Sequence, residues 1–262
     1  MYEKYVKEYI NGKSLREIAE QYHISRNNLS KYLKEHNIPI RNQKITSRKY
    51  YCNENFFETI DTEKKAYWLG FILADGYVQT HNYGKYLCIG LKVEDKGHLE
   101  KFKRDIEATY EIKEYSSKGY KDNHTIARIL ISSEKLYNDL NKYGIVENKT
   151  FYEQFPKIPL HLQRHFIRGV FDGDGCVYYA KRDKCLGVHI CGNKDLLLGI
   201  TKYFENLGCS KNIQKSRSIS DIHYSNKKAL FVLNELYRNS TVYMDRKYEI
   251  YKKYINMKQC RV

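Results

Sequence analysis

The sequence predicts an α+β protein that contains one structural unit twice, preceded by a small all-α domain. Two segments of the same design, "WLGFILADGYV" (residues 68–78) and "IRGVFDGDGCV" (residues 167–177), each read as an apolar helix that ends in Asp-Gly and leads into a strand. Asp75 and Asp174 are 99 residues apart, and the strand and helix patterns that follow them recur at nearly the same spacing. Such self-similarity indicates an internal duplication.

Each unit reads in the order helix, strand, strand, helix, strand, strand, helix, from its runs of alternating or helical apolar periodicity. Pro156 and Pro159 interrupt both patterns and mark the junction between the units. We therefore expect four segments: a helix-turn-helix domain (1–45), a linker (46–60), a first repeat (61–155) and a second repeat (156–262).

A helix-turn-helix is predicted from "SLREIAEQYHISRNNLSKYLKEHN", residues 14–37. One helix should begin at about Leu15 and a second should run to about His36, with Ser14 and Ser25 as N-caps. This pattern resembles the helix-turn-helix of bacterial DNA-binding proteins, although His23 stands where glycine is usual; an ordinary amphipathic hairpin is the alternative. The outer face of the second helix would carry Arg26, Asn27, Asn28, Lys31 and Lys34.

The composition favours a polyanionic partner. The net charge is +15, the pI is near 9.3 and the chain has 26 tyrosines, which suits contact with phosphates, sugars and bases, although a low-GC codon bias would enrich the same residues. Seven cysteines without a C-x-x-C pair indicate neither a zinc cage nor a disulfide framework. Without a signal region or a membrane-length apolar run, we expect a soluble, cytoplasmic protein with no membrane partner.

Small residues in the two apolar helices suggest how the Asp-Gly ends are used. They lie four positions apart in each helix: Gly70 and Ala74 in the first, Gly169 and Gly173 in the second. Residues at i and i+4 share a helix face, so two such faces can pack closely across a pseudo-twofold axis. Asp75 and Asp174 would then be neighbours at two partly negative helix ends, and a hard cation such as Mg²⁺ would relieve their repulsion.

With these motifs the chain is similar to the monomeric LAGLIDADG homing endonucleases, from about Asp61 to the C-terminus. The resemblance implies tandem αββαββα repeats whose motif helices form the interface between the halves. It implies that Asp75 and Asp174 hold Mg²⁺ or Mn²⁺ at the scissile phosphates, with Gly76 and Gly175 as further candidate metal ligands. The resemblance implies no catalytic role for Asp172, because its counterpart in the first repeat is Leu73.

The family often places a basic residue near each metal site, at the start of the helix after the fourth strand. Lys227 is the best candidate in the second repeat, with Lys228 beside it. The first repeat offers Glu134 at the better-aligned position and Lys135 one residue later. This difference between the repeats suggests unequal cutting of the two DNA strands.

Strand alternation indicates which residues face the major groove of double-stranded DNA. In "YLCIGLKV" the apolar side chains point inward, and Tyr86, Cys88, Gly90 and Lys92 point outward. The other candidate DNA contacts are Arg128 in the first repeat and Tyr178, Lys181, Arg182, Lys184, Gln214, Lys215, Arg217 and His223 in the second. A polar strand face exposed to water would show the same pattern.

The sequence therefore predicts a monomeric, Mg²⁺-dependent, site-specific DNA endonuclease that cuts both strands of a long target, with an N-terminal helix-turn-helix that extends the footprint. Such an enzyme would be encoded by a phage, an intron or a free-standing gene. Two alternatives use the same scaffold: a DNA-binding regulator that does not cut, and an RNA-splicing maturase.

Overall fold

The computed structural model describes residues 3–11, 13–38, 40, 49–81, 84–118, 123–148, 153–180, 182–216 and 219–259. Lys181 and Arg217, two of the expected DNA contacts, lie outside these ranges. The chain divides into two compact units, residues 1–51 and 52–262. No helix in the described part of the chain combines the length and apolarity needed to cross a bilayer.

The smaller unit contains α1 (Glu3–Ile10), α2 (Leu15–Tyr22) and α3 (Arg26–Glu35). The Ser14 side chain accepts a hydrogen bond from the Glu17 amide, and the Glu17 carboxylate accepts one from the Ser14 amide. These two reciprocal hydrogen bonds form a capping box at the start of α2. Ser25 caps α3 in the expected way, and His23 adopts the left-handed conformation at the turn (φ 51°). The core of this unit is formed by buried side chains from all three helices: Tyr9, Ile18, Leu29 and Leu33.

In the larger unit the first repeat contains α4 (Glu63–Asp75), β1 (Gly76–His81), β2 (Gly84–Lys92), α5 (Lys96–Asp105), β3 (Ile112–Lys118), β4 (Asn123–Ser132) and α6 (Glu134–Lys142). The second contains α7 (Leu160–Asp174), β5 (Gly175–Ala180), β6 (Cys185–Gly192), α8 (Lys194–Asn206), β7 (Gln214–Ser216), β8 (Ile219–Ser225), α9 (Asn226–Tyr237) and α10 (Asp245–Gln259). These tandem αββαββα repeats confirm the predicted fold class.

Both sheets are antiparallel and share one topology. Their strand orders are β1-β2-β4-β3 and β5-β6-β8-β7. Gly76 pairs with Ile89 and Gly175 pairs with Ile190, so each sheet begins immediately after the helix that ends in aspartate. One face of each sheet packs on helices, and residues such as Ile89 and Ile190 on that face are fully buried.

The segment before α4 packs with the larger unit, although the predicted linker extended to residue 60. Phe57 is fully buried, and the Asn53 amide donates a hydrogen bond to the Ile106 carbonyl. Ser133, at the start of α6, donates a short hydrogen bond to the Glu54 carboxylate. These contacts attach residues 52–60 to the first repeat.

Candidate functional site

Helices α4 and α7 contact each other at glycine. A Cβ atom on Gly70 would lie 2.1 Å from the Phe166 carbonyl oxygen, and one on Gly169 would lie 2.0 Å from the Tyr67 carbonyl oxygen. Both distances are far shorter than van der Waals contact, so only glycine permits this backbone approach. One turn further, a Cβ on Gly173 would lie 2.3 Å from the Ala74 Cβ. The four small residues noted in the sequence therefore all lie in the contact between the two helices.

The two acids end these helices in the same way. The amide of Gly76 donates to the Ile72 carbonyl and the amide of Gly175 to the Phe171 carbonyl, and both glycines are extended. A Cβ at Gly76 would lie 2.8 Å from the Ile72 side chain, and one at Gly175 would lie 2.4 Å from the Phe171 carbonyl oxygen. The Asp-Gly pair in each motif thus reflects a close turn from helix to strand.

Asp75 lies at the base of this contact, beside the end of the other helix. A Cβ on Gly173, the residue before Asp174, would be 3.4 Å from the Asp75 Oδ2 atom. Asp75 and Gly173 line a depression of about 750 Å³ that continues along Gly90, Lys92 and Ile126. The two helix ends therefore converge where a depression opens onto the face of the first sheet.

Lys247 lies beneath the end of α7 and is almost completely buried. Its ammonium group is within hydrogen-bonding distance of four carbonyl oxygens, at 2.7 Å from Phe171, 2.7 Å from Asp172, 3.3 Å from Gly173 and 2.5 Å from Gly175. Burial lowers the pKa of Lys247 to about 8, although Asp172 and Asp75 favour its charged form. Lys247 thus caps α7 and places a positive charge under the acidic end of the helix.

Asp172 is fully buried and connects the two repeats. Its Oδ2 atom accepts hydrogen bonds from the Tyr67 hydroxyl and the Met244 amide, and its Oδ1 atom accepts one from the Tyr237 hydroxyl, all at 2.8 Å. Burial raises the pKa of Asp172, while Lys247 and these donors oppose the rise. With its oxygens so occupied, Asp172 has a structural role beside the acidic pair.

The oxygen donors at the helix ends fit a hard divalent cation that keeps other ligands. Across the described ranges, no three His, Cys, Asp or Glu side chains converge as a metal cluster. Mg²⁺ is commonly bound by one or two carboxylates, with water and substrate phosphate oxygens completing its shell. Asp75 and Asp174 match that donor set. The Gly175 carbonyl already accepts from Lys247, which makes it a poorer candidate ligand than Gly76.

Comparison with known proteins agrees with this geometry. Residues 62–143 and 161–249 match the family model described as the LAGLIDADG-like domain. The chain belongs to this family. Among solved structures, the homing endonuclease I-WcaI bound to its DNA recognition sequence is 17% identical, with 74% of this chain and 90% of that chain covered and a TM-score of 0.55. No curated protein sequence matches the chain.

A second solved structure has the same architecture. The LAGLIDADG meganuclease I-AabMI bound to uncleaved DNA is 11% identical, with 77% of this chain and 91% of that chain covered and a TM-score of 0.50. At these identities the similarity shows a shared fold.

In the first LAGLIDADG repeat, the exposed sheet face carries most of the expected DNA contacts. Lys92 is exposed, Tyr86 and Arg128 are half-buried, and register places all three on the face opposite the helices. Cys88 was expected in the groove but is fully buried. Its cross-strand neighbour Tyr77 covers it, and the two side chains interact.

In the second repeat the expected contacts divide between two faces. Tyr178 is exposed, and its hydroxyl lies 3.0 Å from the His223 Nε2 atom on the same face. Gln214 pairs with Asp221 on that face, so the next residue, Lys215, points to the opposite face. Arg182 and Lys184 are exposed in the turn between β5 and β6.

Lys227 does not lie beside the two acids. It lines a separate depression of about 420 Å³ together with Tyr179, Lys184 and Tyr254. Ser225, two residues before Lys227, pairs with Gly187 of β6, and Gly187 pairs with Tyr178 of β5. Tyr178 lies three residues along β5 from Gly175, so Lys227 follows a part of the sheet that is distant from the end of α7. Lys228 donates to the Ser210 carbonyl, and Lys135 forms ion pairs with Glu58 and Asp139.

Lys247 is a basic residue beneath the acids that sequence reasoning did not select, and Lys92 and Arg246 line the same depression as Asp75. The internal repeat could have indicated Lys247, because "NKT" and "DRK" place Lys149 and Lys247 at equivalent positions 98 residues apart. Lys149 lies outside the described residues. In the N-terminal unit, the five outer-face candidates are all exposed on α3: Arg26, Asn27, Asn28, Lys31 and Lys34.

Proposed function

We propose that this protein is a site-specific endonuclease that hydrolyses both strands of double-stranded DNA, with a divalent metal held by Asp75 and Asp174. The observation that carries the proposal is the convergence of the two motif helices, which brings Asp75 against the residue before Asp174 at the mouth of a depression. The fold that this chain shares with I-WcaI and I-AabMI, two proteins whose structures hold DNA, supports the same substrate.

Each residue at the site has a distinct part in this proposal. Asp75 and Asp174 would hold Mg²⁺ or Mn²⁺, which supplies Lewis-acid chemistry for hydrolysis of a phosphodiester bond. Lys247 fixes the end of α7 and reduces the negative potential that the helix terminus adds to Asp174. Asp172 anchors the same helix end to Tyr67 of the other repeat. Lys227 has no catalytic part.

The DNA would lie along the exposed faces of the two sheets, with one half of the target on each. Tyr86, Lys92 and Arg128 would contact one half and Tyr178 and His223 the other. The exposed basic and amide residues of α3 would add further DNA contacts, as those of a helix-turn-helix do. The net charge of +15 favours this association through phosphate contacts.

The test is cleavage of DNA that carries the natural target. Purified full-length protein would be incubated with Mg²⁺ and plasmids bearing the DNA that flanks its gene, and supercoiled, nicked and linear products would be separated. We expect Asp75→Asn and Asp174→Asn each to abolish linear product while leaving the affinity for the target in EDTA within a few-fold of wild type. Asp195→Asn, which changes an exposed carboxylate at the start of α8, is the matched control and should cut normally.

Two results would contradict the proposal. Linear product at the wild-type rate from both motif variants would remove the acids from the reaction. Tight and selective DNA binding by a wild-type protein that never cuts would favour the regulator.

A further inference from the structure

Arg128 occupies the middle of the exposed face of the first sheet. It lies on β4, one of the two central strands, and pairs with Gly90 of β2 on one side and Lys113 of β3 on the other. The side chain is half-buried, and its Nε atom is buried without a hydrogen-bond partner in the described part of the chain. Buried donors without an acceptor are rare in native structures, and a rotamer change of this half-buried side chain on binding would let a ligand supply the acceptor.

Two neighbours border the guanidinium group of Arg128. Its central carbon lies 5.3 Å from the centre of the Tyr115 ring, which is close enough for a cation–π contact. On the β2 side, a Cβ on Gly90 would lie 3.8 Å from the Nε atom, so any longer side chain there would cover the donor. The ring restricts the guanidinium, and Gly90 places no side chain over it.

The surroundings favour a base edge over a phosphate as the acceptor. The nearest same-face residues along β4 are apolar, namely Ile126 and Leu130, and Leu130 is 43% exposed. Lys113, in contrast, is exposed on the edge strand β3. For a sheet in the major groove, the central strands meet base edges, and cations at its border meet the phosphates that flank the groove.

Guanine is the base whose groove edge fits this donor. It presents the N7 and O6 atoms as two adjacent acceptors, which a guanidinium can engage with two parallel N–H groups. We propose that Arg128 reads a guanine in the half of the target bound by the first repeat, and that Tyr115 orients it for this contact. The inference rests on the proposed function, in which this sheet face contacts double-stranded DNA.

The second repeat has a different residue at the corresponding position. Gly76 pairs with Ile89, and Gly175 pairs with Ile190. The residues that follow these partners, Gly90 and Cys191, therefore occupy equivalent positions in the two sheets. Cys191 pairs with Asp221, so Asp221 corresponds to Arg128. A carboxylate accepts hydrogen bonds and cannot donate to guanine N7 and O6. The guanine preference should therefore occur in one half of the target, without a symmetric counterpart in the other.

The test is selection of binding sites from randomised duplex DNA by full-length protein in EDTA, followed by sequencing and by affinity measurements on the selected site. For the wild type we expect one position at which guanine is preferred by about 5- to 150-fold, the usual discrimination of a bidentate contact. Arg128→Gln replaces the guanidinium with an amide that pairs with adenine N6 and N7, and should remove the guanine preference while other positions are unchanged.

Two further variants sharpen the result. Lys113→Ala removes the neighbouring border charge and should weaken binding to all sequences alike, with the guanine preference retained. Tyr115→Leu should reduce the preference in part, because the guanidinium loses its ring. Thermal unfolding of each variant would confirm that it is folded.

Three results would overturn the inference. A binding pattern that Arg128→Gln leaves intact would show that Arg128 reads no base. An equal loss at every sequence would assign Arg128 to a phosphate. A wild type that enriches no sequence would overturn the proposed DNA-binding function, and this inference with it.

Discussion

The two motif helices have the same backbone geometry but opposite buried chemistry. Within α7, His165, Arg168 and Asp172 are all buried. The residues 99 positions earlier in α4 are Ala66, Leu69 and Leu73, which are also buried. The two copies thus share the glycine contact and the terminal aspartates, while only α7 has His165, Arg168 and Asp172 buried at these three positions.

The segment that covers α7 explains the difference. Arg168 donates to the carbonyls of Leu236 and Val242 and to the Glu63 carboxylate, with distances of 2.7–2.9 Å. Asp172 accepts from the Met244 amide, and Lys247 caps the helix end. Buried charges are tolerated when they are paired and hydrogen-bonded, and here they dock residues 236–247 onto the helix. A motif helix can therefore be apolar or charged inside, depending on the segment packed against it.

Placing asparagine at the same position in both repeats should give the largest contrast. Leu73→Asn removes a buried leucine and leaves an amide in an apolar position, which we expect to reduce the free energy of unfolding by about 3–5 kcal/mol. Asp172→Asn should cost less, about 1–2 kcal/mol, because it can keep the hydrogen bonds and loses the charge that favours protonated Lys247. Its amide oxygen can accept from Tyr67 and Met244, while its amide nitrogen can donate to the Tyr237 hydroxyl once that hydroxyl rotates.

Urea unfolding at pH 7 would measure both changes. Equal losses for the two variants would contradict the difference in buried chemistry that we infer for this position. Asp172→Leu provides the reciprocal control: it strands two hydroxyls, an amide and nearby charges, and should cost more than Asp172→Asn.

A second contrast between the repeats depends on pH. Burial, then Lys101, lowers the pKa of His98 to about 3, and its Nδ1 atom has no partner among the described residues. At the position 98 residues later the second repeat has the buried Leu196. Because unfolded His98 takes up a proton near pH 6.5 and the folded form does not, its contribution to stability is lost as pH falls below 6.5.

We expect this histidine to account for a loss of about 2 kcal/mol in the free energy of unfolding between pH 7 and pH 5. His98→Leu, which copies the second repeat, should remove that part of the pH dependence. His165 should provide a further share that persists in the variant, since burial, then Arg168, lowers its pKa to about 4. Urea unfolding at pH 7 and pH 5 would compare the two proteins, and identical pH dependence would exclude His98 as a contributor.

Local pattern and repetition were enough to predict the fold and the position of Asp75 and Asp174 at the ends of two packed helices. Ser14 and Ser25 lie at the helix starts that their sequence positions indicated, and Asp75 and Asp174 end helices that meet at glycine. Both conclusions depend on residues close in sequence or on a spacing that occurs twice.

Tertiary contact was beyond that reasoning. Lys247 reaches α7 from more than 70 residues away, and the repeat gave its spacing but not its contacts. Lys227 looked suitable because it begins a helix, yet the sheet register places it away from Asp174. Cys88 alternates with core residues as expected, but the neighbouring Tyr77 covers its outward face. Each outcome is decided by a partner on another element.

The smallest contrast concerns the helix that follows the last strand of each sheet. Ser133 precedes α6, where its buried side chain accepts from the Leu136 amide, while Ser225 precedes α9 without such a bond. Ser133→Ala should lower the free energy of unfolding by about 1–2 kcal/mol, because it removes the N-cap and the hydrogen bond to Glu54, whereas Ser225→Ala should change it by only a few tenths of a kcal/mol. Urea unfolding of both variants is the measurement. A larger loss for Ser225→Ala than for Ser133→Ala would mean that the serine before α9, and not the one before α6, caps its helix. The two repeats would then not differ at this helix start in the way that the hydrogen bonds indicate.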